Sequence, residues 1–193
     1  RTASEVLGIP LEEVTPEQRN DAKAVNFGII YGISDFGLAR NLGIPRNKAR
    51  LYIENYLKRH PGIKEYMDRV VEEGKEQGYI KTLMGRRRNL PELSSRNFNT
   101  RSFGERVAMN TPIQGTAADI IKKAMNDVYY ELKTRGLRSK LVLQVHDELI
   151  VDTYKPELDE VKEILRDKME NAMKLSVPLV VDIGVGSNWY DAK

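Results

Sequence analysis

The sequence predicts an α+β fold: a helical first half, then a layer with an antiparallel sheet and packed helices. Three observations carry this expectation. Apolar residues recur at helical spacing through much of residues 16–77, and again over 116–135 and 158–169. Two apolar runs, KLVLQV and ELIVDT, flank a reversal near His146-Asp147, as the strands of a hairpin do. The order of the second half, helix, hairpin, helix and strand, suits helices packed on an antiparallel sheet.

At the start, residues 1–17 read as a short helix or turn and a proline-punctuated link. TPEQ then offers Thr15 as N-cap, Pro16 at the first helical position and Gln18 at the third, opening a helix to about Tyr31. Ser34 caps a second helix, DFGLARNL, which stops at Gly43. Pro45 opens a third, RNKARLYIENYLKR, with Leu51, Tyr52, Tyr56 and Leu57 on one face. HPG breaks it, and IKEYMDRVVEEGKEQ resumes helix on Ile63, Tyr66, Met67 and Val70 until Gly78.

YIKTLMG reads as a strand leading into a basic turn, RRRNLP. SSRNFNTRS reads as a loop, and helix returns near Ser102. TPIQGTAAD looks like an interruption before a long amphipathic helix over 116–135, with Ile120, Ile121, Ala124, Val128 and Leu132 on its buried side. After the ribbon, Leu158, Val161, Leu165 and Met169 mark a last helix, and VPLVVDIGVG a final strand.

Composition bounds the function classes. The 193 residues make one ordinary domain or two small ones. The 31 Lys and Arg against 28 Asp and Glu leave a net charge of +3, which permits an anionic partner without requiring one. The absence of cysteine excludes a disulfide framework and a thiolate metal site. No apolar run approaches the roughly 20 residues of a membrane helix. RTASEVLGIPLEEV has no signal-peptide core, so an intracellular soluble protein is expected. The first residue is not methionine, as in a chain that starts inside a longer gene product.

Three patterns carry chemistry. In QRNDAKAVNFGIIYG, Arg19, Lys23, Phe27 and Tyr31 recur every four residues and form one drifting stripe on a helix. Its cationic end can hold a triphosphate and its aromatic end can stack on a base or sugar, with Gly28 and Gly32 leaving room beside it. An ordinary amphipathic helix with a wet basic end and a buried aromatic end has the same spacing. No GxxxxGK[ST] or strand-borne GxGxxG is present, which removes Walker-type and Rossmann readings.

The hairpin reversal is the second pattern. Asp147, beside Glu148 and His146, is either a turn residue bonding its own backbone or a carboxylate held rigidly enough for Mg2+. An imidazole there suits a phosphate or hydroxyl better than zinc, and His60, beside a helix-breaking proline, reads as surface. Third, six arginines lie between residues 86 and 106. Arg86, Arg87 and Arg88 can neutralise a sugar-phosphate backbone or simply solubilise a loop. Arg106, Asn110 and Gln114, four apart, can bond base edges in a minor groove or cap neighbouring backbone.

These residues carry a resemblance. RNDAKAVNFGIIYG resembles the fingers helix of the bacterial family A DNA polymerases, the second of that family's three polymerase motifs. LVLQVHDELIVD resembles the third, in the palm. ERVAMNTPIQGTAADIIKKAM resembles the palm helix between them, and GSNWYDAK the carboxy terminus, so the similarity spans essentially the whole chain. It implies fingers over residues 1–100, with a basic hairpin or loop near 79–100, and the carboxy-terminal half of a palm over 101–193.

The same resemblance implies roles. Arg19 and Lys23 match residues that bind the incoming nucleotide's phosphates, and Lys23 also matches the proton donor to the pyrophosphate leaving group. Phe27 matches the residue beside the sugar, where a phenyl ring goes with selection against dideoxynucleotides. Tyr31 matches the tyrosine at the templating pair, and Gly32 continues that DNA-contacting motif. Arg86, Arg87 and Arg88 are expected on DNA. Arg106, Asn110 and Gln114 match minor-groove contacts, and His146 a residue near the primer terminus and phosphates. Asp147 matches a catalytic metal ligand, and Glu148 its less critical acidic neighbour.

The expected activity is template-directed nucleotidyl transfer from a dNTP to a primer 3′-OH. It uses two Mg2+ ions about 3.5–4 Å apart, with primer-template DNA, dNTP and the remainder of the polymerase chain as partners. The expected location is the bacterial cytoplasm, at the nucleoid. One departure is an absence: the family's first motif, with another metal-binding aspartate, would stand before Arg1. The 193 residues alone are therefore expected to be inactive. A non-catalytic nucleic-acid-binding module using the arginine-rich loop is the rival reading, separable by metal titration. A single-subunit RNA polymerase is another, separable by sugar selectivity.

Overall fold

The computed structural model of the chain describes residues 3–4 and 9–192; the helix or turn expected at the start falls largely on residues 1, 2 and 5–8, outside them. The chain divides into two compact units, residues 1–113 and 114–193.

In the first unit, α1 spans Pro16–Ile30, and its start is the expected capping box: Gln18 N–H donates to Thr15 Oγ1, and Thr15 N–H to Gln18 Oε1 at 2.9 Å. Its end is a Schellman motif. Ile33 N–H donates to the Gly28 carbonyl and Gly32 N–H to that of Ile29, both at 2.8 Å, with Gly32 at φ 71°. Helix α2 covers Asp35–Leu42, capped by Ser34 and closed by Gly43 at φ 63°. Helix α3 covers Arg46–Arg59, and α4 covers Pro61–Gln77. Val25, Ile29, Leu38, Ala49 and Tyr56 form the core of this bundle. Leu51 is 51% exposed, so the buried face of α3 runs instead through Ala49, Tyr52, Ile53 and Tyr56.

Strands β1 (Tyr79–Lys81) and β2 (Arg87–Asn89) pair antiparallel, Tyr79 opposite Asn89 and Lys81 opposite Arg87. Arg87 and Arg88 therefore belong to a strand, not to the basic turn expected from RRRNLP. The reversal lies at Thr82–Arg86, where Gly85 takes φ 82° and Arg86 N–H donates to Thr82 Oγ1.

Helix α5 corrects two expectations. It starts at Phe98, inside the stretch read as a loop, and runs unbroken to Thr134 through Pro112. Its start is fixed by Asn97, whose Oδ1 accepts from Asn99 N–H and Thr100 N–H at 2.9 and 3.2 Å. Pro112 has no N–H for the preceding turn. Around that gap, Thr111 Oγ1 donates to the Val107 carbonyl at 2.7 Å and the Tyr66 hydroxyl to the Met109 carbonyl at 2.9 Å. The flanking turns are thereby held. Burial raises the Tyr66 phenol above its ordinary pKa.

The second unit holds the rest of α5, then β3 (Lys140–Val145), β4 (Glu148–Asp152) and α6 (Leu158–Glu170). Val128, Leu132, Val161, Ile164 and Leu165 form its core, with Leu141, Leu149 and Val151 of the hairpin packed on it. The register pairs Lys140 with Asp152 and Val145 with Glu148, with a bulge between Leu141 and Leu143. The bulge interrupts strict alternation, and Val142 and Leu143 are both exposed. Glu157 ties the base of the hairpin: its carboxylate accepts from Arg138 N–H, Ser139 N–H and Ser139 Oγ–H at 2.7–3.0 Å. These bonds, the Arg138 N–H first, hold its carboxyl below the usual range.

The final strand expected from VPLVVDIGVG is not a strand among the described residues: 177–186 are without ladder pairing. A strand needs a neighbour to bond, and β3 and β4 pair with each other alone in their two-stranded sheet. No helix among the described residues is long and apolar enough to cross a membrane.

Candidate functional site

Candidate functional side chains occur in each unit. In the first, Ala22, Val25 and Ile29 turn α1 towards the core. That rotation leaves Arg19, Lys23, Phe27 and Tyr31 exposed along the opposite face. Phe27 is 60% and Tyr31 41% exposed, their rings stacked at 6.5 Å and 17°. An ordinary amphipathic helix would have buried this aromatic end. The stripe is instead a continuous accessible surface, cationic at one end and aromatic at the other.

Gly32 closes the stripe against α5. A Cβ built there would meet Met109 Cε at 2.4 Å and Arg106 Cγ at 3.1 Å, so any side chain at this position must push the flexible end of Met109 aside. Arg106 is anchored along α5, its Nη1 donating to Ser102 Oγ at 3.0 Å. Asn110, one turn on, has its side-chain oxygen buried without a hydrogen-bond partner among the described residues. Gln114 lies on the same helix, exposed, where the second unit begins. Sequence spacing had marked Arg106, Asn110 and Gln114. It had not marked Met109, which no polar pattern distinguishes from core.

Arg86, Arg87 and Arg88 are exposed on the β1–β2 hairpin. The Arg87 guanidinium lies 4.7 Å over the Tyr79 ring, which stiffens one of the three.

In the second unit, His146 and Asp147 are the two central residues of the tight turn joining β3 to β4. His146 takes φ 52°, a left-handed value that a non-glycine residue adopts only where its surroundings impose it. That value falls at the first central position of the turn. Gln144 braces it, its amide donating to the His146 carbonyl at 2.7 Å. The turn thus projects Asp147 into solvent, and Asp147 makes no hydrogen bond or ion pair among the described residues. Beside it, Glu148 Oε2 accepts from the indole N–H of Trp189 at 3.0 Å. Trp189 was not foreseen, since a separation of 41 residues leaves no spacing to read.

The donor set fits a hard divalent cation in kind: two neighbouring oxygen donors on a braced tip, with one carboxylate uncommitted. It falls short in number. Among the described residues no group of three or more His, Cys, Asp or Glu side chains is gathered to hold a metal.

Comparison with known proteins gives a consistent result. The family described as DNA polymerase family A matches residues 1–191. DNA polymerase I of Bacillus caldotenax and that of Bacillus subtilis (strain 168) are each 55% identical over 193 residues, which is 100% of this chain and 22% of each relative. A solved structure, the POL domain of Pol1 from M. smegmatis in complex with DNA primer-template and dNTP, is 45% identical with a TM-score of 0.92. It covers 99% of this chain and 34% of that one. The chain therefore spans about a fifth of the length of the curated relatives it matches.

Proposed function

The chain belongs to DNA polymerase family A, and from that premise we propose that it carries part of the catalytic machinery of a DNA-directed DNA polymerase. The reaction of the intact protein is attack of a primer 3′-OH on the α-phosphate of a dNTP, directed by a template. Family membership also displaces the RNA polymerase and non-catalytic binding readings. The single observation that carries the proposal is the pair of presented motifs: an exposed cationic-to-aromatic stripe on α1 and a braced Asp147 at a hairpin tip.

In this reading, the first unit to about residue 100 is fingers and the chain from 101 onward is palm. Arg19 and Lys23 bind the triphosphate, the guanidinium as a two-pronged donor and the ammonium as a point charge. Lys23 gives a proton to the departing pyrophosphate. Phe27 lies against the sugar, and Tyr31 and Gly32 against the templating pair. Exposed rings at the end of a basic stripe are what such stacking requires.

Arg86, Arg87 and Arg88 neutralise DNA phosphates, and Arg106, Asn110 and Gln114 contact the minor groove of the primer-template. His146 bonds the phosphates or the primer terminus. Asp147 and Glu148 hold Mg2+, with further ligands from the rest of the polymerase chain. When bound there, Mg2+ would supply a lowered pKa for the attacking hydroxyl and charge neutralisation for the leaving phosphates, with two ions in the intact site. Since two adjacent carboxylates cannot frame two ions, the 193 residues alone are inactive. The protein works in the cytoplasm, on nucleoid DNA.

The test is Asp147→Ala in the full-length protein. Primer extension falls by orders of magnitude while primer-template binding stays measurable. Extension at the wild-type rate would remove Asp147 from the metal site.

A further inference from the structure

Asp147 and Glu148 are neighbours with unequal surroundings. The first is uncommitted. The second is tied, through Oε2, to Trp189, the only tryptophan in the sequence. The segment that delivers this tryptophan is built for rigidity. Ser187 Oγ donates to Asp191 Oδ2 at 2.8 Å, and the Asn188 amide donates to the same oxygen at 2.5 Å. In return, Asp191 N–H donates to Asn188 Oδ1 at 3.1 Å, and Ala192 N–H to the Asn188 carbonyl at 3.2 Å. Residues 187–192 thus close a self-bonded turn with Trp189 at its centre. This turn folds back onto the preceding chain. A Cβ on Gly184 would stand 1.7 Å from the Ala192 carbonyl oxygen, and one on Gly186 2.6 Å from Ala192 N. Only glycines permit that approach. Trp189 is 42% exposed, so more than half of its surface is packed away.

An indole N–H donates and cannot accept, and it does not titrate. It therefore fixes one oxygen of a carboxylate without altering the charge that a cation meets. Freezing a glutamate side chain costs conformational entropy. A donor that holds the side chain beforehand removes that cost from cation binding. Outer partners of ligating carboxylates act in this way, and losing one typically weakens metal affinity about 10–100-fold.

We propose that the carboxy-terminal turn is a clamp on the metal site, and that Trp189 is a positioning residue which sets the Glu148 carboxylate for a divalent cation. The proposal rests on the metal role assigned to Asp147 and Glu148 above. In the Trp189→Phe variant the cation binds about 10-fold more weakly. Maximal extension rate at saturating Mg2+ and primer-template affinity stay near wild type, because no group that touches substrate is lost.

The experiment uses the full-length protein labelled with 5-fluorotryptophan and read by 19F NMR, with the Trp189 resonance identified by its loss in Trp189→Phe. Without cation, Glu148→Ala shifts that resonance, whereas Glu148→Gln, which keeps an acceptor oxygen, leaves it near the wild-type position. No shift in Glu148→Ala overturns the clamp, whatever binds at the site. That arm leaves the carboxy-terminal turn itself unmutated. Mn2+ is then titrated and free Mn2+ counted by EPR. The expected result is broadening of the Trp189 resonance in wild type and about 10-fold weaker binding in Trp189→Phe. Unchanged Mn2+ affinity in Trp189→Phe overturns the positioning role. Asp147→Ala separates the two failures: Mn2+ binding that survives it intact sinks the metal reading, and the clamp's function with it.

Discussion

Replacing Gly32 by alanine tests how α1 is locked to α5. Two costs follow from the geometry. At φ 71° any side chain meets the left-handed penalty, roughly 1–2 kcal/mol. The new Cβ would also stand 2.4 Å from Met109 Cε, where carbon atoms prefer about 3.5–4.0 Å. The methionine end must withdraw by more than an ångström. Because it is a flexible terminus, the overpacking falls at the low end of the usual range, about 1 kcal/mol. Gly43 provides the control, since it takes φ 63° with nothing within 4 Å of its added Cβ. Gly43→Ala therefore costs about 1–2 kcal/mol and Gly32→Ala about 2–3 kcal/mol.

Hydrogen exchange of the full-length protein reads the local difference, at about 1.4 kcal/mol per tenfold. The Ile44 amide, bonded to the Ala39 carbonyl, should speed up roughly 5–30-fold in Gly43→Ala. The Ile33 amide should speed up roughly 30–150-fold in Gly32→Ala. Adding Met109→Ala to Gly32→Ala should remove the excess. Equal effects at the two glycines, or no relief from truncating Met109, would refute the packing argument.

Three further outcomes follow. Phe27→Tyr in the full-length protein should relax discrimination against chain-terminating nucleotides; incorporation ratios that do not change would contradict the ring's placement at the sugar. Thr15→Ala removes one half of the capping box and should cost α1 about 1 kcal/mol, seen as faster exchange of its first-turn amides. Glu157 gives a pH dependence. Its folded pKa is depressed below the ordinary 4.5, so its contribution is complete above that value and is lost as pH falls through the lower, folded pKa. Protection of the β3–β4 hairpin should decline on that acid limb in wild type, and Glu157→Gln should flatten it.

Much of the fold was legible because local chemistry and final structure agree. The Thr15–Gln18 box, the Ser34 and Gly43 caps and the stop at Gly78 depend on a few adjacent residues, and each stands where the sequence puts it. The failures are places where distant groups decide. Pro112 argues locally for a break, yet α5 continues through it, with Thr111 and Tyr66 bonding carbonyls on the turn before. SSRNFNTRS is polar enough for a loop, but Asn97 caps a helix within it. VPLVVDIGVG has strand composition and no strand neighbour among the described residues.

The candidate site divides in the same way. The α1 stripe and the Asp147 turn follow from periodicity and from the reversal between apolar runs. That Phe27 and Tyr31 face solvent is a packing fact: Val25 and Ile29 on the other side of α1 decide it. The Trp189 bond to Glu148 joins residues far apart in sequence, and only the folded chain reveals it.

The most direct measurement is a structure of the full-length protein with primer-template DNA, an incoming dNTP and Mg2+. The expected result is a carboxylate oxygen of Asp147 about 2.0–2.1 Å from an ion, with Arg19 and Lys23 on the triphosphate. Asp147 turned away from both ions, or the face from Arg19 to Tyr31 turned away from the nucleotide, would contradict it.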